Sequence, residues 1–227
     1  MKTTKSDIEA ALWRGANTFR GIIDAANYKD YVLSMLFVKY LSDTYAENLN
    51  DLKDKYNDET RLERAKSRLP FVLEEEQTFD YLYDNRYDSE IGQKINAALR
   101  AIEDNNAQLQ GVFRSVDFNS EANLGNSKQK ATTLRNLLED FKPLDLRPSM
   151  IEVKENQVAS DVLGDAFEYM IGEFASQAGK KAGSFFTPMM VSELMARIAK
   201  PKSGDSIYDP TSGSSSLLIR AAKYGGV

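Results

Sequence analysis

The amino-acid sequence predicts a mainly α-helical protein whose last third begins an α/β domain. Two observations carry this prediction. Apolar residues recur at helical spacing in most segments of the first two-thirds. After them the chain reads as helix, short strand, glycine-bearing loop and helix, which is the order in which a doubly wound sheet begins.

The first helix is predicted to begin at S-D-I-E, with Ser6 as N-cap and Glu9 bonding back to its amide. The break A-A-N-Y-K-D is predicted to separate it from residues 31–41, which are apolar on nearly every side and so indicate a helix at the centre of a bundle. Lys39 interrupts this run, which is shorter than the ~20 residues of a membrane span. The first helix carries a stripe of Ile8, Leu12, Phe19, Ile22 and Ile23.

Two further amphipathic helices are predicted, the first with Ser89 as a candidate cap. K-P-L-D-L-R-P-S-M then breaks the periodicity at Pro143 and Pro148. We therefore predict a helical domain of residues 1–155 and a second domain of residues 156–227. The apolar stripes of the two helices are Ile91, Ile95, Ala98, Leu99 and Ile102, and Leu134, Leu137, Leu138 and Phe141.

Basic residues come close together in R-L-E-R-A-K-S-R-L-P, at Arg61, Arg64, Lys66 and Arg68. They form either a solvated helix face or a phosphate-contacting patch, and the sequence favours the solvated face without excluding the patch.

The composition limits the chemistry that this chain can perform. It has no cysteine and no histidine, so it can build neither a thiolate or imidazole catalyst nor a metal site of the usual nitrogen–sulfur type. The absence of cysteine fits a cytoplasmic protein. A net charge of −5 argues against strong binding of DNA by this chain alone, because such binding needs clustered lysine and arginine.

The second domain is predicted to open with a helix over about Val158–Phe174. A glycine-bearing loop follows, and then a second helix with Thr187 as N-cap and Pro188 in its first position. S-I-Y-D is predicted to be a short strand that ends at Asp209.

Two segments of this domain are candidates for ligand binding. In D-P-T-S-G-S-S-S-L-L, Asp209 would lie at the carboxyl edge of the sheet, Gly213 would admit a close ligand, and Ser214–Ser216 would offer free amides. The segment is neither G-x-G-x-x-G nor a P-loop, and an ordinary strand–turn–helix connection is the alternative. A-G-S-F-F-T-P upstream is either a helix start with core aromatics or an aromatic pocket wall. Together the segments suit S-adenosylmethionine (AdoMet).

These segments carry a family resemblance. G-S-F-F-T-P resembles the G-x-F/Y-Y/F-T-P motif of amino-group DNA methyltransferases, and D-P-T-S-G-S-S resembles their D-P-x-x-G-S-G motif. The stretches L-W-R-G-A-N-T-F-R-G-I-I-D-A-A-N-Y-K-D and L-G-D-A-F-E-Y-M-I-G-E-F are similar to the modification subunit of type I restriction–modification systems. The resemblance runs from about Ile8 to Ala222.

The resemblance implies a Rossmann-like domain that transfers methyl from AdoMet to N6 of adenine in duplex DNA, with the target base flipped out of the helix. It implies two partner proteins, a specificity subunit and a restriction subunit. The cofactor-binding residues that it implies are Gly183, Ser184, Phe185, Phe186, Thr187, Pro188, Met189, Asp209, Thr211, Ser212, Gly213 and Ser214.

The sequence departs from the family pattern in four ways, one of which is Thr211–Ser212 where the family often has Ala-Cys or Ala-Ala. Ser215 stands where the family usually has glycine, the acidic residue that would hold the ribose is missing, and no N/D-P-P-Y/F tetrapeptide occurs. We therefore assign no catalytic residue and expect the chain to be an inactive N-terminal fragment of a longer methyltransferase. The alternative is a non-catalytic helical module that docks the specificity subunit and DNA. Small-molecule methyltransferases and nicotinamide enzymes fit less well.

Overall fold

The computed structural model of this chain describes residues 2–154, 158–177, 187, 189–212 and 215–226. These residues form two compact units, Met1–Phe167 and Glu168–Val227. The described part is mainly helical, as predicted, and within it the only β-pairing is an isolated bridge between Thr3 and Ile151. The predicted limit at residue 155 stays a prediction. None of the described helices is long and apolar enough to cross a membrane.

Seven α-helices begin within the first unit before residue 150. They are α1 (Lys5–Phe19), α2 (Ala25–Lys55), α3 (Glu59–Lys66), α4 (Phe79–Asp84), α5 (Ile91–Asn105), α6 (Glu121–Leu124) and α7 (Ser127–Phe141). Three short 3₁₀ turns lie at Glu75–Gln77, Ala107–Leu109 and Pro148–Met150. Helix α8 (Ala159–Gln177) spans both units, and α9 (Met189–Ala199) and α10 (Ser216–Gly225) belong to the second unit.

Helix α1 begins earlier than predicted. Thr4, and not Ser6, is the N-cap: its hydroxyl accepts from the Asp7 amide, and the Asp7 carboxylate accepts from the Thr4 amide. The sequence contains two overlapping capping patterns, and the structure uses the one in which Asp7 replaces glutamate. Hydrogen bonding to Thr4 lowers the pKa of Asp7, which keeps this carboxylate ionised at the positive end of the helix.

The predicted break at A-A-N-Y-K-D is wrong. These six residues form the first turns of α2, which continues unbroken for 31 residues. The chain turns earlier, near Gly21, whose φ of +83° lies in the left-handed region that glycine tolerates. Tyr28 is buried and stacks on Phe19 with ring centroids 6.3 Å apart, so helix formation here buries a large aromatic surface. Ile22, expected in the apolar stripe, is exposed because α1 has already ended.

The central position predicted for residues 31–41 is confirmed. Helix α2 contacts α1, α3, α4 and α7. Tyr31 makes an edge-on contact with Phe118, with centroids 5.1 Å apart, and its hydroxyl donates to the carbonyl of Asp117 at 3.0 Å. The buried apolar residues of α2 are Tyr28, Tyr31, Val32, Met35, Leu36, Val38 and Leu41.

The one charge inside this apolar run is neutralised within the same helix. Lys39 Nζ lies 2.7 Å from both carboxylate oxygens of Asp43, and the two side chains are only 6% and 14% exposed. Burial raises the pKa of Asp43, and the nearby ammonium of Lys39 acts in the opposite direction. The attraction between the two charges therefore mainly compensates for the desolvation of Lys39, and the pair contributes little net stability.

Residues 143–152 are fastened to this core although they lack regular helix. The amide of Leu146 donates to Asp43 Oδ2 at 2.7 Å, and the amide and hydroxyl of Ser149 donate to Glu47. Thr3 binds the same segment: its amide donates to the carbonyl of Met150 at 2.7 Å and its hydroxyl to that of Asp145 at 2.8 Å. The segment thus joins the chain start to α2.

Both predicted amphipathic helices after residue 88 are confirmed as α5 and α7, and every residue of their predicted stripes is buried. Ser89 is not the cap of α5. The N-cap position is Glu90, which makes no capping bond with its side chain, and its amide instead donates to the Asp88 carboxylate at 2.9 Å. Asn126 and Gln129 form a capping box at the start of α7.

The predicted strand at S-I-Y-D is not formed in the described residues. Residues 205–209 have no regular secondary structure, and Ile207 and Tyr208 are exposed. A strand needs a hydrogen-bonded neighbour, and no described segment supplies one. The helix predicted over about Val158–Phe174 is confirmed as α8, although Val158 at the start of its apolar stripe is exposed.

The Lys39–Asp43 pair gives a first prediction. Asp43→Asn keeps the shape of the side chain but leaves the buried ammonium without a counter-charge. We expect it to lower the free energy of unfolding by about 3–5 kcal/mol in urea titrations. The control is Asp80→Asn, which breaks the exposed pair with Lys142 (69% and 41% exposed) and is expected to cost less than about 1 kcal/mol. Equal losses in the two variants would contradict the proposed role of Asp43.

Two helical glycines give a second prediction. A Cβ on Gly92 would overlap the carbonyl oxygen of Phe118, whereas one on Gly164 would meet nothing within 4 Å. Gly92→Ala is expected to destabilise the protein by about 1–3 kcal/mol, because backbone has to move. Gly164→Ala is expected to stabilise it by up to about 1 kcal/mol through helix propensity. Urea unfolding of both variants is the measurement. If Gly92→Ala left the free energy of unfolding unchanged, the contact between Gly92 of α5 and the Phe118 carbonyl would not be tight.

Candidate cofactor site

The site predicted from the two motifs lies only partly in the described residues. Seven of its twelve residues fall outside them: Gly183, Ser184, Phe185, Phe186, Pro188, Gly213 and Ser214. Of the others, Thr187 is half-buried before α9 and Met189 is the first residue of that helix. Asp209, Thr211 and Ser212 lie together before α10. The expectation that Thr187 and Pro188 start α9 by capping stays a prediction.

Asp209 has one carboxylate oxygen in use and one without a partner. Its Oδ1 accepts from the amide of Thr211 at 2.9 Å and from the Thr211 hydroxyl at 3.2 Å. Its Oδ2 is buried and has no hydrogen-bond partner within the described residues. A buried acceptor is normally paired. Within the described residues, this oxygen therefore lacks the hydrogen bond that a buried acceptor normally has.

Ser215 adopts a conformation that disfavours a side chain. It is the N-cap residue of α10 with φ +60° and ψ +18°, in the left-handed region, and its side chain makes no capping bond. Its amide donates to the carbonyl of Ser212 at 2.7 Å. This hydrogen bond joins the residues on either side of Gly213 and Ser214. A non-glycine residue here costs roughly 1–2 kcal/mol, which explains physically why glycine is usual at this place in the resembling motif.

An apolar cleft of about 250 Å³ lies beside Asp209. Its volume is below the roughly 300–1,000 Å³ of complete small-molecule sites, so it would hold part of a ligand. Among the described residues that line it, Asp209 alone carries a charge, which suits a ligand with an apolar body and a polar edge. The cleft is lined by Met195, Ala196, Ala199, Ile207, Tyr208, Asp209, Pro210, Leu217, Leu218 and Ala221.

Sequence reasoning found Asp209 and the loop but missed the helical walls of this cleft. Met195 and Ala199 of α9 and Leu217 and Leu218 of α10 line it. Their signal was present as apolar spacing, but the same spacing is equally typical of an ordinary packed helix. Helices α9 and α10 pack against each other, which brings these residues together.

Helix α10 is also attached to α8 by an ion pair. Arg220 donates to Glu168 Oε2 at 3.0 Å, and both side chains are largely buried. Glu168 and Arg220 belong to the second unit, so the pair fixes α10 within that unit. The loop that carries Asp209 and Ser212 therefore leads into a helix that is held on two sides.

Two protein-family models match the chain. The model described as the HsdM N-terminal domain matches residues 8–141, which is more than half of the chain. The model described as N-6 DNA methylase matches residues 158–225. The first match covers α1 to α7, and the second covers the loop and helices around Asp209.

Curated relatives agree with these models. The chain is 31% identical to the type I restriction enzyme MpnII methylase subunit of Mycoplasma pneumoniae, over 98% of this chain and 45% of that protein. It is 27% identical to the MjaVIII methylase subunit of Methanocaldococcus jannaschii, over 99% of this chain and 37% of that protein. The chain thus spans less than half the length of these two relatives.

A solved structure shows the same fold. The methyltransferase subunit of a type I restriction–modification system from Streptococcus thermophilus superposes with a TM-score of 0.77 at 30% identity, over 99% of this chain and 50% of that one. Together with the family models, this likeness confirms the resemblance that the motifs carry. The chain belongs to the family of methyltransferase subunits of type I restriction–modification systems.

Proposed function

We propose that this chain carries the AdoMet-binding part of a DNA methyltransferase that transfers a methyl group to N6 of adenine in duplex DNA. The observation that carries the proposal is the unpartnered, buried Oδ2 of Asp209 beside an apolar cleft, at the loop matched by the N-6 DNA methylase model. AdoMet combines an apolar adenine face with hydroxyl and ammonium donors, which suits this combination of surfaces.

The Rossmann-like character of the second domain is part of this proposal. In such folds a ligand lies outside the carboxyl end of a strand and at the start of the next helix. The residues before Asp209, for which a strand is predicted, and the helix α10 after it would have this order. Support comes from the likeness to the methyltransferase subunit of Streptococcus thermophilus.

The proposed division of labour assigns binding to these residues and catalysis to none of them. Asp209 would accept a hydrogen bond from the cofactor, and the free amides at the start of α10 would face its carboxylate. AdoMet, when bound, supplies the electrophilic methyl group. The N/D-P-P-Y/F tetrapeptide implied for catalysis is absent from the 227 residues. A specificity subunit that selects the DNA sequence, a restriction subunit and a cytoplasmic location belong to the same proposal.

The cofactor assignment is tested by ligand-observed NMR with AdoMet and the 227-residue chain. We expect weak, saturable binding, since each hydrogen bond to a charged group that the missing ribose acid would supply is worth roughly 1.5–3 kcal/mol. Such a loss weakens affinity by about ten- to a hundredfold. Gly213→Asp is expected to abolish the AdoMet signal without changing the unfolding of the helical domain. NAD⁺ serves as the control ligand. Equal signals from NAD⁺ and AdoMet, or none from AdoMet, would overturn the assignment.

The activity is tested with tritiated AdoMet and duplex DNA. The chain alone is expected to transfer no methyl group. When the chain is completed to the full length of its relatives and paired with a specificity subunit, N6-methyladenine is the expected product. Methylcytosine, or a methylated small molecule with unmodified DNA, would contradict the proposal. A failure of this test with intact AdoMet binding would favour the docking-module alternative.

The strained Ser215 gives a prediction about the loop. Ser215→Gly is expected to increase hydrogen-exchange protection of the α10 amides, because glycine adopts a positive φ freely, and Ser215→Val is expected to reduce it. Ser215→Val is also expected to weaken the AdoMet signal. Lys200, with φ +50° after α9, provides the matched control. Lys200→Gly should change protection at the end of α9 and leave AdoMet binding unchanged. An AdoMet signal in Ser215→Val equal to that of the parent would contradict a role of Ser215 in the site.

A further inference from the structure

Helix α3 separates its charges onto different faces. Arg61 and Arg64 lie three residues apart on one side of the helix, and Arg68 lies in the turn that follows the helix, where its amide donates to the carbonyl of Ala65 at 3.1 Å. All three side chains are exposed. The acidic residues Glu59 and Glu63 lie on another side of the helix, where Lys66 Nζ forms an ion pair with Glu63 Oε1 at 2.6 Å. We call the side formed by Arg61, Arg64 and Arg68 the arginine edge.

The backbone beneath the arginine edge is held in place. The side chain of Asp58 caps α3 by accepting from the Arg61 amide at 2.8 Å. Helix α3 packs against α2, and its residues Leu62 and Ala65 are half-buried, as is Leu69 after the helix. Arg61 and Arg64 are therefore presented by a capped and packed helix, and Arg68 by the hydrogen-bonded turn that follows it.

The arginine edge keeps its positive charge. Within residues 2–154 and the other described residues, no carboxylate pairs with Arg61, Arg64 or Arg68. By contrast, Arg86 and Arg147 are each paired with an acidic side chain. An unpaired, exposed guanidinium retains its full set of donors for an external anion.

We propose that the arginine edge contacts the phosphate backbone of duplex DNA, which rests on the proposed function as a DNA methyltransferase. From Arg61 to Arg68 the edge is about 10 Å long at 1.5 Å per residue. Duplex DNA carries a phosphate every ~3.4 Å along each strand, so this length faces several phosphates. Guanidinium groups suit phosphates because they donate two parallel hydrogen bonds. Such contacts position a protein on DNA without reading its sequence.

The arginine edge would also allow a chain with a net charge of −5 to bind DNA, which is itself negatively charged. On α3 itself, Glu59 and Glu63 lie on the side away from the edge, and Asp58 uses its carboxylate to cap the helix at the Arg61 amide. At about 0.15 M salt, charges beyond about 8 Å are screened, so the local field of the edge decides the contact.

The test is the salt dependence of DNA binding by the 227-residue chain, measured by fluorescence anisotropy with a labelled duplex of arbitrary sequence. We expect weak binding that falls steeply with KCl. The slope of log K against log[KCl] is negative. In the triple variant Arg61→Gln, Arg64→Gln and Arg68→Gln, its magnitude should decrease by about 2–3, since each phosphate contact contributes ~0.9.

The control variant removes the same charge elsewhere on the first unit. Arg100, Arg114 and Lys128 are exposed, and their replacement by glutamine is expected to leave the slope within about 1 of the parent. Equal reductions in both triple variants would show a general charge effect and overturn the proposal. So would an unchanged slope in the arginine-edge variant, or no salt-dependent binding by the parent. The AdoMet signal is expected to be the same in all three proteins, which separates this test from that of the cofactor site.

Discussion

The architecture of the first unit depends on the burial of α2. This helix is surrounded by four others, so the single charge in its apolar run has to be neutralised inside the protein. Asp43, one turn after Lys39, meets this need and also accepts from the amide of Leu146. One carboxylate thus serves a buried lysine and an irregular segment together. That segment in turn binds Thr3, which fixes the beginning of α1.

In the second unit, two energetically unfavourable features lie in one loop before α10. Asp209 leaves a buried oxygen unpaired and Ser215 holds a left-handed conformation, each of which is unfavourable in a protein without a ligand. Both lie where the resemblance to methyltransferases predicts contact with AdoMet. A ligand that donates to Asp209 would recover part of that cost, so the same features that destabilise the loop make it suitable for binding.

The two units suit different parts of one task. The first presents a rigid helical framework with a positively charged edge on α3, and the second presents a small apolar cleft with a carboxylate at its rim. A contact with DNA phosphates supplies position but no chemistry. A cofactor cleft would supply the reactive group but would not bind DNA. The proposed DNA contact and the proposed cofactor cleft would thus complement each other in a chain that belongs to the type I methyltransferase subunits.

The sequence by itself determined the helical class, the buried faces of α5 and α7, and the family, because apolar spacing and short motifs are local properties of the chain. Tertiary structure decided what depends on distant partners. Burial of Tyr28 against Phe19 turned a predicted break into helix, and the residues before Asp209 formed no strand because no described segment pairs with them. The walls of the cleft and the unpaired state of the arginine edge also depend on which segments meet in space, and sequence spacing alone does not contain that information.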